Sequence, residues 1–147
     1  MLWAVLALST AIFWGAGYAI SEKIMHTGMS PTVFLLLLCI ISLPIYATFS
    51  VLDGSFLRSI ELLSADNFKL GWLCLGACMI FVLGNLFIFE AISLKDATHA
   101  NILEITYPIF TILFTYIFFK NVHLDWTTAL GGILILCGTA LIIYKGA

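Results

Sequence analysis

Charge is scarce in this sequence. Asp, Glu, Lys and Arg make up 10% of the 147 residues, while hydrophobic residues make up 63%. Soluble domains carry about 25% charged and about 45–50% apolar residues. That shortage, with a mean hydropathy of +1.14, excludes a soluble globular domain and places the chain in a membrane. The net charge is −2 and the six basic residues are scattered, so no nucleic-acid-binding surface is expected. Cysteine is sparse too: Cys39, Cys74, Cys78 and Cys137 all lie in apolar runs. Cys74 and Cys78 stand one helical turn apart, but no His or second Cys pair accompanies them. They read as small packing residues, not metal ligands or disulfide partners. No nucleotide-binding loop is present, and neither a metal nor another cofactor is expected. The leading end has no Lys or Arg. It lacks the basic region of a cleaved signal peptide, and the first apolar run reads as a retained helix.

Long apolar runs are what the chain does have. A spanning helix needs about 20 mostly apolar residues. Five runs qualify, at about 2–21, 31–52, 70–94, 97–119 and 124–144. The expected fold is therefore an all-α integral membrane domain of five transmembrane helices over residues 1–147. Little chain remains outside the bilayer, so an enzyme working in the aqueous phase is not expected. The one long connection, Asp53 to Lys69, places Phe56, Ile60 and Leu63 at steps of four and three, with Arg58, Glu61 and Asp66 elsewhere. That pattern predicts a short surface helix at about 55–64, with a plain polar loop as the alternative. Ser30-Pro31 is a helix start, and Pro44 is a kink point in the second span.

The fourth run breaks the rule for such helices. Asn101, Glu104, Pro108, Thr111 and Thr115 fall at steps of three and four and share one helical face. A polar stripe in an apolar helix faces protein or water and not lipid. Glu104 sits at bilayer depth, where a charge costs at least about 2.5–3.5 kcal/mol. A carboxyl whose charge depends on whether water reaches it is what proton coupling requires. Pro108 removes a backbone bond to the carbonyl of Glu104 and supplies a bend. Asn85 and Glu104 both lie roughly 10–14 Å from the turn at residues 94–97, so they are expected at one level. His99, roughly 3 Å in, is within reach of Glu90; Glu90 can instead snorkel or pair with Lys95. In the first run Trp3, Ala7, Thr10, Trp14, Tyr18 and Ser21 share a face. Trp3 and Tyr18 suit an interfacial aromatic belt. Trp14, roughly 18 Å in, faces either a cavity or a neighbouring helix. The candidate substrate or proton site is thus Glu104, Asn85, Asn101, Tyr107, Trp14, Tyr18, Glu90 and His99. The bland reading is that Glu104 bonds Asn85 or a Thr hydroxyl and fixes packing, while Thr111 and Thr115 bond their own backbone. Gly131 and Gly138, seven apart on one face, form a packing or dimer surface.

Loop charge gives no orientation. Arg58, Lys69 and Lys120 lie on one side of a five-span chain, and Lys23, Lys95 and Lys145 on the other. Balance permits insertion both ways. It leads to the expectation of dual topology and an antiparallel homodimer whose two copies supply inverted halves; the alternative is a weak bias that the translocon resolves to one orientation.

The run Phe89-Glu90-Ala91-Ile92-Ser93-Leu94 with Ala97 and Ala100, then Tyr107-Pro108-Ile109-Phe110-Thr111, then Gly132-Ile133-Leu134-Ile135-Leu136-Cys137-Gly138, resembles the second part of an EamA-type repeat. That repeat is the five-helix half of the drug/metabolite transporter superfamily. Trp14-Gly15 and Ser30-Pro31 also resemble it, and the likeness covers essentially the whole chain. It implies ATP-independent transport of a small metabolite, amino acid or drug, often gradient-coupled, in a bacterial-type inner membrane. It also implies pairing with a second copy or a homologous half. Two positions depart from the pattern. Leu37 and Leu38 stand where the family often has Arg, and Lys120-Asn121 where it often has Gly-Glu. A non-transporting membrane subunit paired with a homologous five-helix partner is the alternative function.

Overall fold

The computed structural model describes residues 2–64, 68–120 and 125–146, with side chains to 144. Asp66, Asn121, the predicted start of the last span at Leu124 and the side chain of Lys145 lie outside the described residues. Every regular element described is a helix: α1 Leu2–Met25, α2 Pro31–Leu52, α3 Ser55–Ser64, α4 Lys69–Leu94, α5 Ala97–Glu104, α6 Tyr107–Phe119 and α7 Trp126–Gly146. Five stretches are long and apolar enough to cross a membrane: Leu2–Met25, Pro31–Leu52, Lys69–Leu94, Ala97–Phe119 and Trp126–Tyr144. They coincide with the five predicted runs to within a few residues.

Two differences matter. α1 continues through Glu22 and Lys23 to Met25. Charge at the bilayer edge does not end a helix, and Lys23 in the last turn suits the negative end of the dipole. The stop comes at Gly28, whose φ of +91° a side chain rarely adopts; its N–H donates to the carbonyl of Met25 at 2.9 Å. The second difference lies in the fourth span, which is not one helix. α5 ends at Glu104 and α6 begins at Tyr107. Pro108 offers no N–H, so the chain tightens around it: Thr106 N–H donates to Leu103 O and Ile109 N–H to Thr106 O. By contrast α2 stays helical across Pro44.

The chain divides into two compact units, Met1–Glu22 with Leu94–Ala147, and Lys23–Ser93. In the second unit α2 packs on α3. Asp53 Oδ1 accepts the Ser55 N–H at 2.9 Å and opens α3. The Ser55 hydroxyl first, and then that N–H, hold the Asp53 carboxyl below the usual carboxylate range. Phe34 meets Phe89 with ring centroids 5.1 Å apart. Gly71 is the tightest of the glycines in this unit: an added Cβ would stand 3.3 Å from the Leu63 carbonyl, while at Gly76 and Gly84 it would meet nothing within 4 Å. In the first unit α5 packs on α7, and Ala97 and Ala100 are buried. Gly132 lies against Ile109, whereas a Cβ at Gly131 or Gly138 would meet nothing within 4 Å. The Gly131 and Gly138 positions are thus open surface of the chain.

Candidate functional site

The candidate site is built on α5, an eight-residue helix with a polar cap at one end and the break at the other. Asp96, in extended backbone, accepts the His99 N–H at 2.8 Å, as an N-cap carboxylate does. The same carboxylate accepts the His99 ring Nδ1 at 2.8–2.9 Å. The backbone N–H of His99 first, and then its ring, hold the Asp96 carboxyl below the usual carboxylate range. The N–H of Ala97 is taken up from a distance. It donates to Glu22 Oε2 on α1 at 2.8 Å, across 75 residues of sequence.

At the other end of α5, Tyr18 Oη donates to Glu104 Oε1 at 3.3 Å, across 86 residues. Tyr18 and Glu22 are four apart on α1, and Ala97 and Glu104 seven apart on α5, so each pair shares a face. α5 is therefore held against α1 at two points. Ser21, 1% exposed, lies on α1 between them and donates its hydroxyl to the Tyr18 carbonyl. Trp14 stands edge-on to Tyr18, with centroids 6.4 Å apart. Asn101, one turn before Glu104, buries its Oδ1 without a hydrogen-bond partner among the described residues. Tyr107 opens α6 just past the break, within electrostatic reach of Tyr18.

Of the residues expected at the site, Trp14, Tyr18, His99, Asn101, Glu104 and Tyr107 belong to this one unit, and a direct bond joins Tyr18 to Glu104. Asn85 lies in the other unit and donates its amide to the Phe81 carbonyl at 2.9 Å, on its own helix. Glu90, also in that unit, is exposed. His99 is engaged through Nδ1 by Asp96. Thr111 bonds the carbonyl of Tyr107, its own backbone, as expected of a hydroxyl in an apolar helix.

Two residues escaped the sequence reading. Asp96 had a local signal, an Asp before a helical run. Glu22 had none, because its partner is a backbone N–H far along the chain. Among the described residues no group of three or more His, Cys, Asp or Glu is placed to hold a metal ion.

The EamA-like transporter family matches the chain over residues 1–144. No curated protein matches the chain. No solved structure matches it either.

Proposed function

The chain belongs to the EamA-like transporter family, and from that premise we propose that it is a secondary transporter of a small metabolite, amino acid or drug, coupled to protons through Glu104. The observation that carries this reading is the Tyr18–Glu104 bond at the end of α5, next to the helix break at Pro108. A carboxylate held by one long hydroxyl bond at bilayer depth gains little from its partner, and a proton or a substrate can replace that bond. Tyr18, Asn101, Tyr107 and Trp14 shape the surroundings. The broken backbone at residues 105–106 lets α5 and α6 tilt separately, which alternating access needs. The chain's work is thus binding and proton exchange in the bilayer, not catalysis.

The second copy enters for a separate reason. Balanced loop charge leaves both orientations open, and the Gly131 and Gly138 positions on α7 are open in the single chain. We place the contact with an antiparallel second copy, or with a homologous half, on that face. The membrane is a bacterial-type inner membrane.

The test is uptake by reconstituted vesicles under an imposed pH gradient. Labelled amino acids, amines and lipophilic drugs serve as probes. At least one probe is expected to accumulate with the gradient and to stop when a protonophore collapses it. Accumulation indifferent to the gradient would reject proton coupling. A chain that moves none of the probes, alone or with a homologous partner, would favour the non-transporting subunit.

A further inference from the structure

The polar groups at the end of α5 are unbalanced. Asn101 Oδ1 is enclosed and no donor reaches it among the described residues. The Glu104 carbonyl loses the donor it would have in a continuous helix, because Pro108 has no N–H. The Glu104 carboxylate receives the Tyr18 hydroxyl at 3.3 Å, beyond the usual range of about 2.5–3.0 Å for such bonds. Asn101 and Glu104 are three apart on one helix, so their side chains leave it about 5–6 Å from each other. Two side-chain acceptors, Asn101 Oδ1 and the Glu104 carboxylate, thus leave one face of α5 where Tyr18, the donor bonded to Glu104, is already engaged. The Trp14–Tyr18 ring pair stands beside them on α1.

We infer that this end of α5 binds an organic cation carrying N–H donors, a protonated amine or a guanidinium. The inference rests on the reading of Glu104 as a transport residue and names the substrate class. The Glu104 carboxylate takes the charge, and Asn101 Oδ1 takes an N–H group. An anion would add acceptors where donors are missing. A quaternary ammonium matches the charge and the aromatic rings but leaves Asn101 Oδ1 without a donor.

A matched probe set separates these cases. Binding of benzylammonium, benzyltrimethylammonium and benzoate to the purified full chain in detergent is measured by calorimetry and thermal shift. Benzylammonium should bind about tenfold or more tighter than the quaternary ion, the scale of a hydrogen bond to a charged group. Benzoate should not bind. Asn101→Asp keeps an acceptor in place and should retain the preference. Asn101→Leu should erase it without lowering Tm, since it removes an enclosed acceptor that has no donor. Glu104→Gln should weaken both cations. Equal binding of the two cations, binding of benzoate, loss of the preference in Asn101→Asp, or no binding of either cation overturns the inference. If flux under a pH gradient runs through Glu104 for an anion or neutral solute while benzylammonium is ignored, the transporter reading stands and the cation inference falls. If benzylammonium binds through Glu104 but no gradient-driven flux is seen, the reverse holds.

Discussion

Removing the bond between Glu22 and the Ala97 N–H should loosen α5 from one end. The bond is short, 2.8 Å, part-buried, and joins a carboxylate to a backbone donor that no intrahelical carbonyl can satisfy. A hydrogen bond to a charged group contributes about 1.5–3 kcal/mol net, so Glu22→Ala should cost that much. Ala97→Pro removes the same bond from the other side. Residue 97 is the first of α5, where proline fits. Asp96 before it is already extended at ψ 163°, as a residue preceding proline must be. The substitution therefore deletes a donor and leaves the helix its preferred start. Glu22→Gln keeps an acceptor but drops the charge, and should lose about half as much. Unfolding in mixed micelles measures the stability, and amide exchange over residues 98–105 reports α5 itself. The two single variants should speed that exchange about tenfold to a hundredfold, the same free energy expressed as a rate. The double variant should be no worse than the worse single, because both remove one bond. Additive losses, or exchange over 98–105 unchanged in Glu22→Ala, would refute the two-point attachment.

Three further expectations follow from the same geometry. Lys120 adopts a left-handed conformation at φ 57° with its ammonium 5.3 Å from the Tyr116 ring. Lys120→Gly relieves about 1–2 kcal/mol of backbone cost and loses about 0.5–1 kcal/mol of cation–π contact, so unfolding should show a small net gain. Asp96 has its folded pKa below the ordinary value of about 3.9, so its capping stability is present above that pH and is lost as the pH falls through the folded value. Asp96→Asn, which still caps, should flatten the acid limb of the stability profile in that window. Gly138→Leu adds bulk where a Cβ meets nothing in the chain; monomer stability should hold while cross-linking between copies falls.

How much of this was legible in the sequence depends on range. The five spans were, because the bilayer demands an uninterrupted apolar length that few soluble sequences offer. The break in the fourth span was half legible. Pro108 marked a bend, yet the end of α5 at Glu104 depends on how the turn at residues 105–106 closes around the missing N–H. Lys120 is a case where structure explains a pattern. The position takes a left-handed conformation that glycine adopts freely, which accounts physically for the Gly often found there in EamA-type repeats. Trp14, Tyr18 and Glu104 were each marked as candidates by periodicity or depth. The bond between Tyr18 and Glu104 was beyond reach, since depth counts ångströms along a helix and says nothing of which way it is turned. Asn85 shows the same limit: its depth matched that of Glu104, but its amide donates to its own helix.

Proton coupling through Glu104 is tested most directly by Glu104→Gln, which fixes the side chain in a neutral, hydrogen-bonding form of the same size. With a transported probe in hand, vesicles of wild type and variant are compared in two modes: accumulation under an imposed pH gradient, and exchange of labelled for unlabelled probe with no gradient. The variant should lose gradient-driven accumulation, while exchange should persist for a neutral or anionic probe and weaken for a cation, whose charge Glu104 takes. Unchanged accumulation in Glu104→Gln would contradict the account.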